Sequence, residues 1–273
     1  MPTIARRARG LGVPPPVTPI ASHLVERADA RSVPLPDGVV ACVVTSPPYL
    51  AQRVYGDSPA EIGRCGSVAA YVDQMVAVAA EVARVLDEHG VLWLNMADKA
   101  NGSGGAGGDH TSGSKRAIGH YGSFLDPAYP RNQFLDVPGK VTEGLQRDGW
   151  LLRARITWDK GRNKPESLAH VRRPRLASEP ILMLVRSGGY RFFPDHLAET
   201  GDVWHFPPGQ PQAGGHFAPF PDELARRCIL ASTEPGDLVV DPFAGSGTTP
   251  RVAVELGRLG RGFDLYAPPR PPL

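Results

Sequence analysis

The chain has 273 residues, enough for one large α/β domain or for a domain with an inserted lobe. Its 41% hydrophobic content allows a sizeable core, and no run of about 18 apolar residues offers a membrane span. The formal charge of +2 names no partner by itself; three scattered cysteines (Cys42, Cys65, Cys228) form no CxxC pair, so neither a disulfide framework nor a metal site is expected, and a cytoplasmic location is.

Residues 1–19 are rich in Arg and Pro without periodicity and read as a flexible arm; Arg6, Arg7 and Arg9 have no apolar stretch behind them, unlike a secretion signal. Val39 to Val44 is a continuous, largely β-branched run between Asp37-Gly38 and Pro47-Pro48, the pattern of a strand buried on both faces. From Tyr71 to Leu86 apolar residues recur at 72, 75, 76, 79, 82, 83 and 86, which predicts a helix with one buried face. Gly90 precedes a second buried strand, Val91 to Leu94. Asn101 to Gly122 holds eight glycines in 22 residues and predicts a mobile loop, taken as extending to 135. It carries His110, Lys115, Arg116 and His120, and reads equally as a clamp or as a surface insertion.

A helix is predicted over Val137 to Arg147, ended by Gly149, followed by strands Trp150 to Trp158 and Pro180 to Val185. Between 140 and 175 stand ten cations (Lys140, Arg147, Arg153, Arg155, Lys160, Arg162, Lys164, Arg172, Arg173, Arg175) against four acids (Glu143, Asp148, Asp159, Glu166). That excess suits a phosphate backbone or a solvated surface alike. Next come a helix from Pro221 to Ser232, a strand Asp237 to Asp241, a glycine turn over 242–249, a helix to Leu256 and a strand Gly260 to Leu265. Such a β-turn-α-β unit implies a parallel sheet with a right-handed crossover. Residues 267–273 form a Pro-rich tail.

Two stretches carry chemistry. In Asp241-Pro242-Phe243-Ala244-Gly245-Ser246-Gly247-Thr248-Thr249 a Gly-x-Gly turn leaves a buried strand and enters a helix, so backbone approaches a ligand and free N–H groups face it. Asp264, 23 residues after Asp241, stands where an acid takes up a ribose hydroxyl pair. No Gly-Lys-Ser/Thr follows, which argues against a phosphate-cradling P-loop. In Thr45-Ser46-Pro47-Pro48-Tyr49, two prolines fix a strand end where α/β sheets bind ligands, and Tyr49 offers a flat face for a base. Taken alone, this stretch is equally a Pro-terminated strand with a packed Tyr.

Together the two stretches resemble the DNA amino-methyltransferases that carry a Ser-Pro-Pro-Tyr motif and a D-P-F-x-G-S-G-T-T motif. With 45–49 ahead of 241–249, the order is similar to the permuted β group. His216 to Pro221 with Leu224 is similar to the family segment beside the methionine moiety, Leu92 to Asn95 to the strand after the amphipathic helix, and Trp158 to Lys160 to the strand end leading into target recognition. Val54 stands where relatives often place an Asp, so any role of that acid is absent.

The resemblance implies a Rossmann-like, S-adenosylmethionine-dependent methyltransferase α/β fold with circularly permuted motif order and a small target-recognition insertion. The expected parts are a catalytic half at 20–159, a recognition region at 160–212 and a cofactor half at 213–266. Ser46, Pro47, Pro48 and Tyr49 are then catalytic; Asp241, Phe243, Gly245, Ser246, Gly247, Thr248, Asp264, Phe220, His216 and Asp29 hold S-adenosyl-L-methionine. Arg53, Lys115, Arg116, Lys160, Arg162, Lys164, Arg172, Arg173 and Arg175 are candidates for contact with double-stranded DNA.

An exocyclic amine is a poor nucleophile because its lone pair is delocalised, so the Ser46 hydroxyl and the Pro47 carbonyl are expected to accept its N–H groups and aim the lone pair. The base must leave the duplex first. In the family, Ser before Pro-Pro-Tyr goes with N4 of cytosine, the first expectation; N6 of adenine is the alternative, and a catalytically inactive DNA-binding module a further one. RNA or protein methylation fits less well, since those relatives place Asn-Pro-Pro-Tyr after the cofactor motif. Relatives are often homodimers, a cognate restriction endonuclease acting separately is a further candidate partner, and a prokaryotic or phage source is expected.

Overall fold

The computed structural model describes residues 24–102, 119–120, 124–161, 172–209 and 221–266. The arm at 1–19, the tail at 267–273, most of the glycine-rich loop and the stretch 162–171 lie outside them.

The strands are β1 (Val25–Arg27), β2 (Val40–Thr45), β3 (Arg53–Val54), β4 (Leu86–Asn95), β5 (Gly119–His120), β6 (Leu151–Asp159), β7 (Ser178–Val185), β8 (Val203–His205), β9 (Leu238–Asp241) and β10 (Leu259–Asp264). The helices are α1 (Val68–Val85), α2 (Val137–Arg147), α3 (Asp222–Ser232) and α4 (Thr248–Glu255). Eight strands form one sheet in the order β1-β10-β9-β2-β4-β7-β6-β8, and β3 pairs with β5 beside it.

From β1 to β4 every pairing is parallel, as the βαβ pattern predicts. The sheet is not parallel throughout. β7 runs antiparallel to both β4 and β6, and β8 is parallel to β6. Parallel neighbours need crossovers of a dozen residues or more, whereas antiparallel ones do not, and apolar periodicity does not encode the direction.

Alternation along the central strands builds two cores. Val43, Leu92, Leu94, Leu182 and Leu184 face α1 and α2. Cys42, Val44, Val91, Trp93, Ile181 and Met183 face Leu224, Cys228 and Ile229 of α3 and Val252 of α4. Because helices cover both faces, these strands are apolar at every position, which is why they read as unbroken runs. Ser67 caps α1, its hydroxyl accepting from the Ala70 N–H at 3.1 Å.

This topology sets one edge of the sheet as the working surface. The carboxyl ends of β1, β10, β9, β2 and β4 all reach it. The antiparallel pairing brings the start of β7 and the end of β6 there too, since Asn95 pairs with Ile181 and Asp159 with Ser178. No helix among the described residues is long and apolar enough to cross a membrane.

Candidate active site at the sheet edge

The two motifs meet. The Thr45 hydroxyl, at the end of β2, donates to Asp241 Oδ1 at 2.6 Å, and the Phe243 N–H donates to the same oxygen at 2.9 Å. One residue earlier on β2, the Val44 carbonyl accepts from the Thr249 hydroxyl, in the first turn of α4, at 3.1 Å. Burial lifts the Asp241 carboxyl to about 6, against the pull of its hydrogen bonds.

After Asp241 the chain turns through Gly245 and Gly247, both at positive φ, into α4. A side chain at Gly247 would be strained there and would also meet Val25 at 3.1 Å, so close packing against β1 requires glycine. Asp264 ends the neighbouring strand. Its carboxylate accepts from the Gly245 N–H at 3.0 Å and from the Tyr266 N–H at 2.8 Å. Turn and acid are thus locked in one geometry. Ser246 is exposed at the tip, Phe243 half-buried and Thr248 buried.

Asp29 lies just past β1, next to Ala28, whose N–H bonds the Asp264 carbonyl at 3.0 Å. Its carboxylate is gripped by the Arg31 guanidinium at 2.9 and 2.6 Å, which holds it below the usual range. Asp29 is therefore at the expected edge but already engaged with a cation. His216 and Phe220 lie outside the described residues.

The Ser-Pro-Pro-Tyr turn is held from behind. The buried Tyr71 hydroxyl, on α1, donates to the Pro48 carbonyl at 2.9 Å. Gly63, at φ +89°, packs under the turn; a Cβ there would lie 3.1 Å from the Tyr49 carbonyl. Buried Lys99 donates to the Ala51 carbonyl at 3.0 Å and sits over the Phe124 ring. These fastenings leave Ser46 half-buried at the edge.

At the front of the turn the Ser46 hydroxyl donates to the Tyr49 hydroxyl at 3.1 Å. The Tyr49 oxygen lies 3.2 Å from Asn95 Oδ1 and 3.2 Å from Glu179 Oε2. Burial, followed by the nearby Glu179 charge, pushes the Tyr49 phenol well above its ordinary range. The other Glu179 oxygen pairs with the Lys160 ammonium, which also sits over the Trp158 ring at 4.9 Å.

Lys160, read from charge as a phosphate contact, is thus an ion-pair partner inside this polar cluster. Sequence reasoning missed Glu179, Tyr71 and Lys99 as members of the site, and it placed Thr45 in the motif without its bond to Asp241. Asn95, at the end of the strand matched to the family, was the one visible signal.

Among the other basic candidates, Arg53 stands on β3, where its guanidinium hydrogen-bonds Tyr55. Arg173 lies over the Phe134 ring at 5.8 Å, and Arg172 and Arg175 are exposed. Lys115, Arg116, Arg162 and Lys164 lie outside the described residues. Of the segment expected to be a mobile loop, the described parts are anchored. Asn101 is fully buried, and its amide donates to the carbonyls of Asp126 and Tyr129 at 2.9 and 2.7 Å.

Near this edge a second cluster ties the segment after Tyr49 to the chain beyond Asp264. Buried Glu61 accepts from the N–H groups of Tyr55 and Gly56 at 2.9 and 3.0 Å and from the Tyr266 hydroxyl at 2.9 Å.

Comparison with known proteins agrees with this fold. The sequence pattern of a DNA methylase family matches residues 40–267. The type II methyltransferase M.Cfr9I of Citrobacter freundii is 37% identical over 249 residues, covering 87% of this chain and 81% of its own. M.SmaI of Serratia marcescens is 35% identical over 236 residues, covering 82% and 79%. Among solved structures, the cytosine-N4-specific PvuII DNA methyltransferase superposes with a TM-score of 0.66 over 89% of this chain and 81% of its own, at 18% identity. A Thermus thermophilus chain assigned as a DNA modification methylase, solved with S-adenosyl-L-methionine, gives 0.61 over 89% and 88%, at 26% identity.

Proposed function

The chain belongs to the DNA methylase family, and from that premise we propose that it methylates N4 of a cytosine swung out of duplex DNA, with S-adenosyl-L-methionine as methyl donor. The observation that carries this reading is the Thr45–Asp241 hydrogen bond, which brings a Ser-Pro-Pro-Tyr turn beside a glycine turn at one sheet edge.

The residues of the glycine turn fit the cofactor. Gly245 has open space in front of it, and Asp264 is a fixed carboxylate of the kind that accepts ribose hydroxyls. Gly245, Gly247, Phe243 and Asp264 would hold the nucleoside end, with Asp241 beside them. When bound, the cofactor supplies a methyl group activated by a sulfonium.

Everything else falls to the protein. Ser46 Oγ and the Pro47 carbonyl accept the two amine N–H groups and so aim the nitrogen lone pair. No protein nucleophile is required, because the amine itself attacks. Buried Cys42 and Cys228 suit that scheme, since burial raises both thiols, Cys42 to about 12. The Tyr49 ring would line the base position, and Arg172 and Arg175, exposed in the 160–212 region, would meet phosphates or guanine edges.

The choice of cytosine rests on Ser46, because a neutral hydroxyl in that position goes with N4 methylation in the family this sequence resembles. The permuted motif order, 45–49 before 241–249, belongs to the same reading. The test is mass spectrometry of nucleosides from duplex DNA incubated with the protein and the cofactor. N4-methylcytosine is expected. N6-methyladenine alone would transfer the assignment to adenine, and binding without any methylated base would reduce the protein to a DNA-binding module.

A further inference from the structure

Beyond the residues that touch cofactor or base, the edge carries a chain of polar groups running from Ser46 to Lys160, and the acceptors along it favour one direction for its protons. The Ser46 and Tyr49 hydroxyls have one proton each. The Tyr49 oxygen faces Asn95 Oδ1 and Glu179 Oε2, both at 3.2 Å. Asn95 is oriented by its amide nitrogen, which donates to the Pro180 carbonyl at 3.2 Å and to Glu179 Oε2 at 3.4 Å, so its oxygen turns toward Tyr49. Glu179 is paired with Lys160, and an ionised carboxylate accepts only.

Tyr49 must therefore donate away from Ser46, since the opposite arrangement would set its lone pairs against two acceptors. With the Tyr49 proton committed, its oxygen accepts from the Ser46 hydroxyl at 3.1 Å. The Ser46 proton is then committed as well, and the oxygen presents lone pairs to the outside.

We infer that Glu179, anchored by Lys160, is a positioning residue that sets the direction of the Tyr49–Ser46 hydroxyl relay, so that Ser46 meets the target amine as an acceptor. The inference rests on the reading of Ser46 as the amine's partner. A lone serine hydroxyl is a rotor that can offer the amine either its proton or its lone pairs, and only the lone pairs suit an N–H donor. As methyl transfer places positive charge on the nitrogen, the aligned dipoles of the relay end on a carboxylate, which stabilises that charge until the amine proton leaves to water. The Lys160 ammonium lies against that carboxylate, so the relay does not end on an unpaired anion at the partly buried edge.

The test is the single-turnover rate of methyl transfer to duplex DNA in Glu179→Gln, Glu179→Asp, Tyr49→Phe and the Tyr49→Phe/Glu179→Gln double variant, with cofactor and DNA affinities measured alongside. Glutamine can donate from its amide and so frees the relay to reverse. The transfer rate is expected to fall roughly 10- to 100-fold in Glu179→Gln, while both affinities stay within about threefold. Glu179→Asp, which accepts only, is expected to recover part of that loss. In the Tyr49→Phe background the relay is already cut, and Glu179→Gln should cost less than about threefold more.

A Glu179→Gln rate within about twofold of wild type would overturn the inference. So would a loss that multiplies in full with Tyr49→Phe. Should Glu179→Gln fail to fold, judged by thermal melting, the same cycle run with Glu179→Asp decides by its coupling to Tyr49→Phe. A wild-type protein that methylates no base amine would instead overturn the function beneath the inference, and the two failures are told apart by the wild-type lane alone.

Discussion

The Thr45 hydroxyl and the Asp241 carboxylate, 196 positions apart in the chain, meet at 2.6 Å between adjacent parallel strands. This one hydrogen bond couples the catalytic turn to the cofactor turn. Thr45→Val preserves shape and removes the donor from a buried carboxylate, which costs about 1.5–3 kcal/mol in denaturant melts. Cofactor affinity and transfer rate should both fall, because each turn loses its register to the other. A variant with wild-type stability and activity would show that the bond is incidental.

Asp241 also predicts a pH dependence. Its folded-state carboxyl titrates at about 6, against an ordinary 3.8, because burial disfavours the charge. A raised acid binds a proton in the folded state while the unfolded chain stays ionised. Stability from this group is therefore gained as pH falls from about 6 to about 4 and is lost above 6. The gap corresponds to roughly 3 kcal/mol. Asp241→Asn keeps an oxygen for Thr45 and the Phe243 N–H but carries no charge. It should be more stable than wild type at pH 7.5, with the advantage shrinking as pH drops through 6. Parallel melts at pH 7.5 and 4.5 check this; an advantage that grows on acidification would contradict it.

Tyr71→Phe isolates the support behind the catalytic turn. The lost hydroxyl leaves the Pro48 carbonyl without its partner in a tight interior, a cost of about 1–2 kcal/mol. The Pro-Pro turn then loses its fixed angle. Transfer should slow several-fold with cofactor affinity unchanged, since the lost hydroxyl bonds the Pro48 carbonyl of the catalytic turn and the ring that packs in the core is kept. Stopped-flow transfer and equilibrium binding separate the two effects.

Much of this was legible in the chain itself, and the reasons are physical. Val40–Thr45, the Val91–Asn95 end of β4 and Leu238–Asp241 lie between helical layers, so burial on both faces wrote itself into the sequence as continuous apolar runs. The glycine turn was legible because positive φ at Gly245 and Gly247 demands that residue. The three-residue strands Val25–Arg27 and Val203–His205 are too short to show a period. The Glu179–Lys160 pair forms across strands β7 and β6, so no local motif announces it, and Lys160 read as one more surface cation. Strand direction at β7 was invisible for the same reason, since the pattern of Ser178–Val185 is the same whichever way its neighbours run.

The central claim is that Ser46 acts on the base while the glycine turn acts on the cofactor, and Ser46→Ala tests it most directly. Single-turnover transfer of a labelled methyl group to duplex DNA and equilibrium binding of S-adenosyl-L-methionine are measured side by side on that variant. Transfer is expected to drop by about 100-fold or more with cofactor binding intact. Transfer at the wild-type rate, or loss of cofactor binding in step with activity, would contradict the account.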